Sequence, residues 1–307
     1  MRLRRKALMV PVLSAVFVVL WTSGFIAGPI GVAAAPPLAL TFWRFALAAV
    51  VLSVVAVVTR APWPRGRAAW TQLVLTGLLM QAMMFGFAYL ALDAGVSAGL
   101  AALISGASPV MIALVGTVVL KEKLSVPQWM GTLLGFAGIA VAVTGELDGL
   151  GLGVFFAIVG VAGFAAGTLV QRRFGVRMDL RTGPAVQLAA AALAVAPVAA
   201  VKEGLAIPLT LPSLGALAWL ALGNSVLAFG VMFYLLRHRT AADTARMMLL
   251  VPPLTAGAAW PLLGQPADGY IWAGLVITGV GVWVASRGRR EARPVVEPVE
   301  EPVKAAA

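Results

Sequence analysis

The sequence predicts an all-α polytopic membrane protein with ten transmembrane helices in two inverted five-helix repeats. Three observations indicate this fold: an excess of apolar residues, ten long apolar segments, and a collinear similarity between the two halves. Of the 307 residues, 61% are hydrophobic and 11% are charged, and the mean hydropathy is +0.96. An ordinary soluble domain has about 45–50% apolar and about 25% charged residues. The composition therefore excludes a soluble globular enzyme and favours a chain whose surface faces lipid.

Ten segments have the length of a membrane-crossing helix, which needs about 20 mainly apolar residues. They are continuously apolar rather than alternating, which indicates helices. The first follows four basic residues and is longer than a typical signal peptide, so we expect a retained signal anchor. The predicted spans are Met9–Pro29, Leu38–Val58, Trp70–Leu92, Ser97–Leu120, Trp129–Thr144, Leu150–Val170, Gly183–Val201, Leu214–Leu236, Thr244–Leu263 and Tyr270–Ser286.

The basic residues predict the orientation of these spans. Of 23 Lys and Arg residues, 20 lie at the N-terminus, in the C-terminal tail, or in the loops after spans two, four, six and eight. Lys202 is the one basic residue in the alternate loops, and the remaining two, Arg44 and Arg246, lie inside or at the edge of spans. Because cytoplasmic loops are enriched in Lys and Arg, both termini are predicted to be cytoplasmic. The net charge of +11 is therefore mainly a topology signal, with some attraction to anionic lipid, rather than a sign of nucleic-acid binding.

The two halves of the chain resemble each other weakly but in the same order. The matching short segments are separated by 139 to 145 residues. They are Gly24–Gly28 with Gly163–Gly167, Tyr89-Leu90 with Tyr234-Leu235, Ser108-Pro109-Val110 with Pro252-Pro253-Leu254, and Trp129-Met130-Gly131 with Trp272-Ala273-Gly274. Collinear matches of this kind predict a duplicated unit. Since five spans is an odd number, the second copy enters the membrane inverted, as in many secondary transporters. The Gly-x-x-x-Gly spacings that include glycines of these segments predict close helix packing.

This organisation predicts four regions. Residues 1–8 form a cytoplasmic N-terminus, residues 9–144 the first five-helix repeat and residues 150–286 the second. Residues 287–307 form a proline-rich, acidic cytoplasmic tail that is predicted to be disordered.

At this point the sequence resembles the EamA-like transporters of the drug/metabolite transporter superfamily. The resemblance extends over residues 9–286 and rests on the two five-helix copies and on three stretches: Trp21-Thr22-Ser23-Gly24-Phe25, Trp43-Arg44-Phe45, and the run from Ser108-Pro109-Val110 through Leu120-Lys121-Glu122-Lys123-Leu124 to Trp129-Met130-Gly131. It implies a metabolite transporter of the bacterial-type plasma (inner) membrane, often for amino acids or related compounds. The sequence departs from a perfect duplication at Gln265, which stands where the first copy has Glu122.

Arg44 is the charged residue that most suggests a binding function. It lies about one turn inside span two, and an arginine within a span usually faces protein or a water-filled cavity. Its guanidinium can bind a carboxylate or phosphate through two parallel hydrogen bonds. The alternative is that Arg44 extends to the nearby interface or pairs with a loop acid. Its equivalent in the second copy is Gln187.

Several uncharged residues are predicted to line a central cavity. Pro109 and Pro253 are equivalent and interrupt their helices, and paired interruptions in two halves point to a transporter's binding site; the alternative is a structural kink alone. Ser105, one turn before Pro109, can satisfy the freed carbonyl or face substrate. Gln81, Asn224 and Ser225 can bind substrate or only bridge helices, and Trp21, a cavity candidate from the resemblance, can equally face lipid.

Glu122 and Arg246 are candidate gate residues at the cytoplasmic ends of spans four and nine. The alternatives are a juxtamembrane salt bridge for Glu122 and a local pair with Asp243, three residues earlier, for Arg246. The chain has no cysteine and one histidine, His238, so no metal or cofactor site is expected. Nucleotide-binding and hydrolase motifs are also absent from the sequence.

The sequence thus predicts a secondary transporter, and more specifically an exporter, of small organic metabolites that works by alternating access. The expected partners are a small-molecule substrate and the lipid bilayer, and the oligomeric state stays open. Two other classes remain as alternatives: a non-transporting scaffold or sensor, and an intramembrane enzyme acting on lipid head groups. The enzyme would need several acids or histidines within the spans, and the sequence does not supply them.

Overall fold

The protein is a bundle of helices in a computed structural model that describes residues 2–121, 124–145, 151–174, 178–238 and 247–287. The regular secondary structure in these ranges is helical throughout. In chain order the α-helices are α1 (Arg2–Ala34), α2 (Pro37–Val58), α3 (Arg67–Gly77), α4 (Met84–Asp93), α5 (Ala98–Gly106), α6 (Ser108–Leu120), α7 (Val126–Thr144), α8 (Gly151–Phe174), α9 (Thr182–Lys202), α10 (Leu211–Ala218), α11 (Phe229–His238), α12 (Val251–Leu263) and α13 (Gly269–Arg287). Two π-helical segments join neighbouring α-helices: π1 (Leu78–Met83) and π2 (Trp219–Ala228).

Eight continuous helical segments of the described chain are long and apolar enough to cross a membrane: α1, α2, α3–π1–α4, α7, α8, α9, α10–π2 with the start of α11, and α13. Helices α5 and α6 together form a ninth candidate, bent by 47°. The predicted span Thr244–Leu263 begins outside the described residues, and α12 has only 13 residues. The fold is therefore all-helical with eight or nine candidate spans, and the tenth span stays a prediction.

The structure corrects how proline acts in these spans. The sequence placed an interruption inside span four at Pro109, but the bend lies at Ala107, and Pro109 stands in the first turn of α6. There its missing N–H removes no helical hydrogen bond. Pro252 likewise stands in the first turn of α12. Pro29, the predicted end of span one, lies inside α1, which continues to Ala34, and proline is tolerated within membrane helices.

Side chains at the helix ends satisfy backbone groups and tie the halves together at one end of the bundle. The carboxylate of Glu203, just after α9, accepts hydrogen bonds from the N–H groups of Leu38 (2.9 Å) and Ala39 (3.1 Å) at the start of α2. The Gln265 side-chain oxygen accepts one from Ala98 N–H (3.0 Å) at the start of α5. Each of these bonds joins a helix of the first half to a loop of the second half.

The third and eighth predicted spans contain the π-helical segments at corresponding places. Residues 78–83 of π1 and the first part of π2 are separated by 141 residues at their start, which lies within the offsets of the sequence matches. A π-helical turn widens the backbone and leaves i→i−4 hydrogen bonds unmade, and such segments often lie at functional sites. The two halves therefore share a departure from regular helix near the middle of the bundle.

The helices of the two halves pack on each other reciprocally. Equivalent helices pair as α2 with α9 and α7 with α13, and α5 of the fourth predicted span packs on α12 of the ninth. Non-equivalent pairs occur in both senses: π1 packs on α8 as π2 packs on α1, and α6 packs on α8 as α12 packs on α1. The first and second halves thus contribute matching surfaces to one bundle.

Glycines allow the closest of these approaches, as the Gly-x-x-x-Gly spacings predict. A Cβ atom added at Gly131 would lie 2.4 Å from the backbone oxygen of Gly281, on α13. A Cβ at Gly24 would lie 1.9 Å from the side-chain oxygen of Asn224, and one at Gly163 would lie 2.7 Å from Met83. The prediction of close helix packing at these glycines is confirmed.

Candidate functional site

A cavity of about 220 Å³ lies between the two halves of the bundle. Its walls come from α1, α2, α4, α5, α6 and α8, and from π2, α11, α12 and the residues before α12. Most of the lining is apolar or aromatic, and Arg44 is the charged side chain among the described residues that line it. A mostly apolar concavity with a few placed polar groups is the usual form of a small-molecule site.

Arg44 is buried in this wall, with 2% of its surface exposed. Its Nε donates a hydrogen bond to the Ser225 hydroxyl (2.9 Å) and its Nη1 donates one to the Tyr89 hydroxyl (2.5 Å). Its Cζ atom lies 4.1 Å from the centroid of the Phe85 ring, within the range of a cation–π interaction. The guanidinium thus joins α2 to α4 of its own half and to π2 of the other half.

The charge of Arg44 is not balanced by a carboxylate in the described part of the chain. Four acids are described: Asp93 ends α4, Asp179 pairs with Arg181 at 2.8 Å, Glu203 caps α2, and Asp268 caps α13 by accepting from Ile271 N–H at 2.8 Å. The Arg181 guanidinium lowers the pKa of Asp179 to about 2, so this loop pair is charged at neutral pH. The positive charge of Arg44 therefore faces only neutral groups among the residues described.

Asn224 and Trp21 place two further predicted side chains on the cavity wall. The Asn224 amide donates a hydrogen bond to the Leu20 carbonyl of α1 (2.6 Å), so it also bridges the halves. The Trp21 ring packs edge-on against Phe229, with 5.3 Å between centroids. Both alternatives raised for Asn224, helix bridging and access to a ligand, are consistent with this position.

Ser105 and Pro109 line the cavity at the bend between α5 and α6. The Ser105 carbonyl accepts a hydrogen bond from the Ser108 hydroxyl. A neighbouring hydroxyl therefore satisfies a backbone group at the bend, while Ser105 borders the cavity.

Three residues that the sequence predicts for the site do not line the cavity. Gln81 is buried in π1, and its side-chain oxygen has no hydrogen-bond partner among the described residues. Ser225 is buried and holds Arg44 through the bond described above. Pro253 is half-buried and does not border the cavity, whereas its neighbour Pro252 does. The gate candidates Glu122 and Arg246 lie outside the described residues.

Sequence reasoning missed the aromatic partners of Arg44. In the sequence Tyr89 stands out only through the match of Tyr89-Leu90 with Tyr234-Leu235, although a phenol hydroxyl inside a span needs a polar partner. Phe85 precedes Tyr89 by four residues, so both side chains lie on one face of α4. That spacing was visible, but nothing in the sequence showed that this face meets Arg44.

The described part of the chain is all-helical, with eight or nine candidate membrane spans and a cavity between two halves, which is the architecture of a membrane transporter. The family model of the EamA-like transporter family matches the chain twice, over residues 8–144 and 151–287. The chain therefore belongs to the EamA-like transporter family, and it is a multi-pass membrane protein.

Full-length relatives agree with this assignment. The chain is 29% identical to an uncharacterized transporter of Archaeoglobus fulgidus, with 89% of this chain and 96% of the relative covered. It is 27% identical to a probable amino-acid metabolite efflux pump of Salmonella typhimurium (92% and 97% covered) and 27% identical to the uncharacterized inner membrane transporter YedA of Escherichia coli (95% and 96%). A protein of known crystal structure superposes with a TM-score of 0.58 at 18% identity, covering 91% of this chain and 96% of that one, which shows the same fold.

Proposed function

We propose that this transporter is a secondary transporter that exports small organic metabolites, such as amino acids or related compounds, across the plasma membrane by alternating access. The observation that carries the proposal is the 220 Å³ cavity, because its walls come from both halves of the bundle. A site between two packed halves can be exposed to either side when one half moves against the other. The names of the Salmonella and Escherichia relatives support export and an inner-membrane location.

The reciprocal packing supports an inverted duplication as the basis of this movement. Helices α2 and α7 each pair with their equivalents in the second half, α9 and α13, and the loops at corresponding positions carry opposite charge bias in the sequence. Together these features favour ten spans with both termini in the cytoplasm.

The proposed binding residues are those that the cavity brings together: Trp21, Arg44, Ser105, Pro109 and Asn224. In this proposal, Ser225 positions Arg44 from behind the wall, Gln81 and Pro253 support the flanking helices, and Glu122 and Arg246 act in gating.

A reconstitution experiment tests the proposal. The purified chain is placed in liposomes and supplied with labelled amino acids and other small metabolites, with and without a pH gradient. We expect at least one solute to move faster than in protein-free liposomes. If no solute moves under any gradient, the proposed function is wrong.

A pair of matched variants links any flux to the cavity. In Ser105→Phe the added ring fills part of the cavity, whereas in Val118→Phe the same ring is added to α6 at a position whose side chain is 73% exposed on the outer surface. We expect Ser105→Phe to abolish flux and Val118→Phe to retain it. Equal flux in both variants would place the transport route elsewhere.

A further inference from the structure

The charge in the cavity points to the chemical class of the solute. Arg44 makes two hydrogen bonds, both to neutral hydroxyls, and the described residues offer no partner for its Nη2 group. A buried charge without an opposite charge is costly, especially within a membrane. A ligand that brings one negative charge to this wall would relieve that cost.

The fixed orientation of the guanidinium determines where such a ligand binds. Ser225 accepts from the single Nε–H and Tyr89 accepts from one of the two Nη1–H groups, so the second Nη1–H and both Nη2–H groups have no partner among the described residues. The Phe85 ring lies beside the guanidinium, with its centroid 4.1 Å from Cζ. A carboxylate matches this geometry because its two oxygens can accept two N–H groups. A phosphate monoester carries nearly two negative charges at neutral pH, and the described wall supplies only one positive charge.

The rest of the cavity favours an apolar body. Its lining includes Phe25, Ile112, Phe164 and Met84, and its polar members, such as Ser105 and Asn224, are neutral. A cavity of about 150 Å³ can hold a benzene molecule, so 220 Å³ has room by proportion for about nine non-hydrogen atoms. A branched-chain or small aromatic acid fits this volume.

No described carboxylate borders the cavity, so its wall offers an ammonium group no counter-charge. Of the four described carboxylates, Glu203 and Asp268 cap helices, Asp179 pairs with Arg181, and Asp93 ends α4. A protonated amine would therefore lose water without gaining a counter-charge, and it would also be repelled by Arg44.

From these steps we propose that the cavity selects an amphipathic monocarboxylate of about nine non-hydrogen atoms without an amino group, whose carboxylate binds Arg44. This inference rests on the proposed function, since it names the substrate class of the same cavity. It narrows "amino acids or related compounds" to the related compounds: carboxylic acids with an apolar body are preferred over the corresponding zwitterions and amines.

A binding panel with one shared carbon skeleton tests the class. Labelled 4-methylpentanoate is bound to the purified full-length chain in detergent at pH 7, and its displacement is measured with unlabelled 4-methylpentanamide, 4-methylpentylamine and leucine. We expect the acid to bind at least about tenfold more tightly than each of the three, because a hydrogen bond to a charged group is worth more than that factor. If leucine or the amine competes as well as the acid, the inference is wrong.

Two matched substitutions test the role of Arg44. Arg44→Gln is expected to weaken binding of the acid at least about tenfold and to remove its advantage over the amide. Arg181→Gln removes a guanidinium from a loop ion pair and is expected to change neither. Should Arg44→Gln not fold, Arg44→Lys keeps the charge but loses the two-oxygen geometry, so its preference for the acid over the amide should shrink while remaining above one. Unchanged acid binding in either folded Arg44 variant would overturn the inference.

Flux and binding separate this inference from the proposed function. If liposomes transport an amino acid and the acid neither binds nor moves, the substrate class is wrong and the transporter assignment stands. If the acid binds through Arg44 but no solute crosses the membrane, the class of ligand that the cavity binds stands and the transport function is wrong.

Discussion

The contact between α7 and α13 gives a sharp test of how the two halves fit together. A Cβ atom at Gly281 would lie 2.6 Å from the backbone nitrogen of Gly135 and 2.7 Å from the backbone oxygen of Gly131. These are main-chain atoms of a helix, so they cannot move aside as a flexible side chain would. Gly279, on the same helix, has nothing within 4 Å of its added Cβ atom. Gly281→Ala and Gly279→Ala therefore add the same methyl group, the first against backbone atoms of α7 and the second into open space.

The expected magnitudes follow from these surroundings. Overpacking a tight contact costs typically about 1–3 kcal/mol, and Gly281→Ala should lie at the upper end because the opposing atoms belong to the backbone. Gly279→Ala should be neutral or stabilising by about 0.5–1 kcal/mol, since alanine favours helix over glycine. At about 2–4 °C per kcal/mol, the two variants should differ in apparent Tm by on the order of 6–16 °C.

The assay is thermal unfolding of both purified variants in one detergent and at one heating rate, followed by tryptophan fluorescence. Gly281→Ala should unfold at a lower temperature than the wild type, and Gly279→Ala at the same or a higher temperature. Equal unfolding temperatures for the two variants would refute the close approach of α7 and α13.

Three other predictions concern topology, helix capping and pH. Because the chain has no native cysteine, single substitutions Asp93→Cys and Arg65→Cys should react with an impermeant thiol reagent from opposite sides of the membrane; reaction from the same side would contradict the topology. Glu203→Gln should lower the free energy of unfolding by about 1 kcal/mol, seen as a lower Tm, since the charged cap at the start of α2 is lost; an unchanged Tm would argue against this tie. Arg181 lowers the pKa of Asp179, so the ion pair stabilises the fold fully above pH 3.8 and is lost only as the pH falls toward about 2. Asp179→Asn should therefore leave the pH dependence of transport between pH 5 and 8 unchanged. A shifted pH profile would show that Asp179 has another role.

The helical fold and most of its spans could be predicted from the sequence because each span is a local property of about 20 residues. The predictions at proline are less accurate. Span one is predicted to end at Pro29, but α1 continues to Ala34, and the bend in span four lies at Ala107 rather than at Pro109, which stands in the first turn of α6. Both depend on how neighbouring helices satisfy the backbone, and a single segment does not encode that.

The site could be predicted in part, for a similar physical reason. The cost of burying a charge identified Arg44 without any knowledge of its neighbours. Its partners Tyr89, Phe85 and Ser225 lie on two other helices, so only tertiary packing shows that they meet it. Pro253 aligns with Pro109 in the repeat, but the neighbouring Pro252 borders the cavity. A shift of one residue turns a helical side chain by about 100°. Because the two halves resemble each other only weakly, their alignment does not define which of two adjacent prolines faces the cavity.

The most direct test of alternating access uses the absence of native cysteine from the chain. A single Ser105→Cys substitution places one thiol on the cavity wall. Its reaction with an impermeant thiol reagent is measured in right-side-out and in inverted membrane vesicles, with Val118→Cys on the outer surface as the control. The account predicts that Ser105→Cys reacts from both sides and that a transported solute slows the reaction in both preparations. Reaction from one side only, whatever the solute or gradient, would contradict a cavity that opens alternately to the two sides of the membrane.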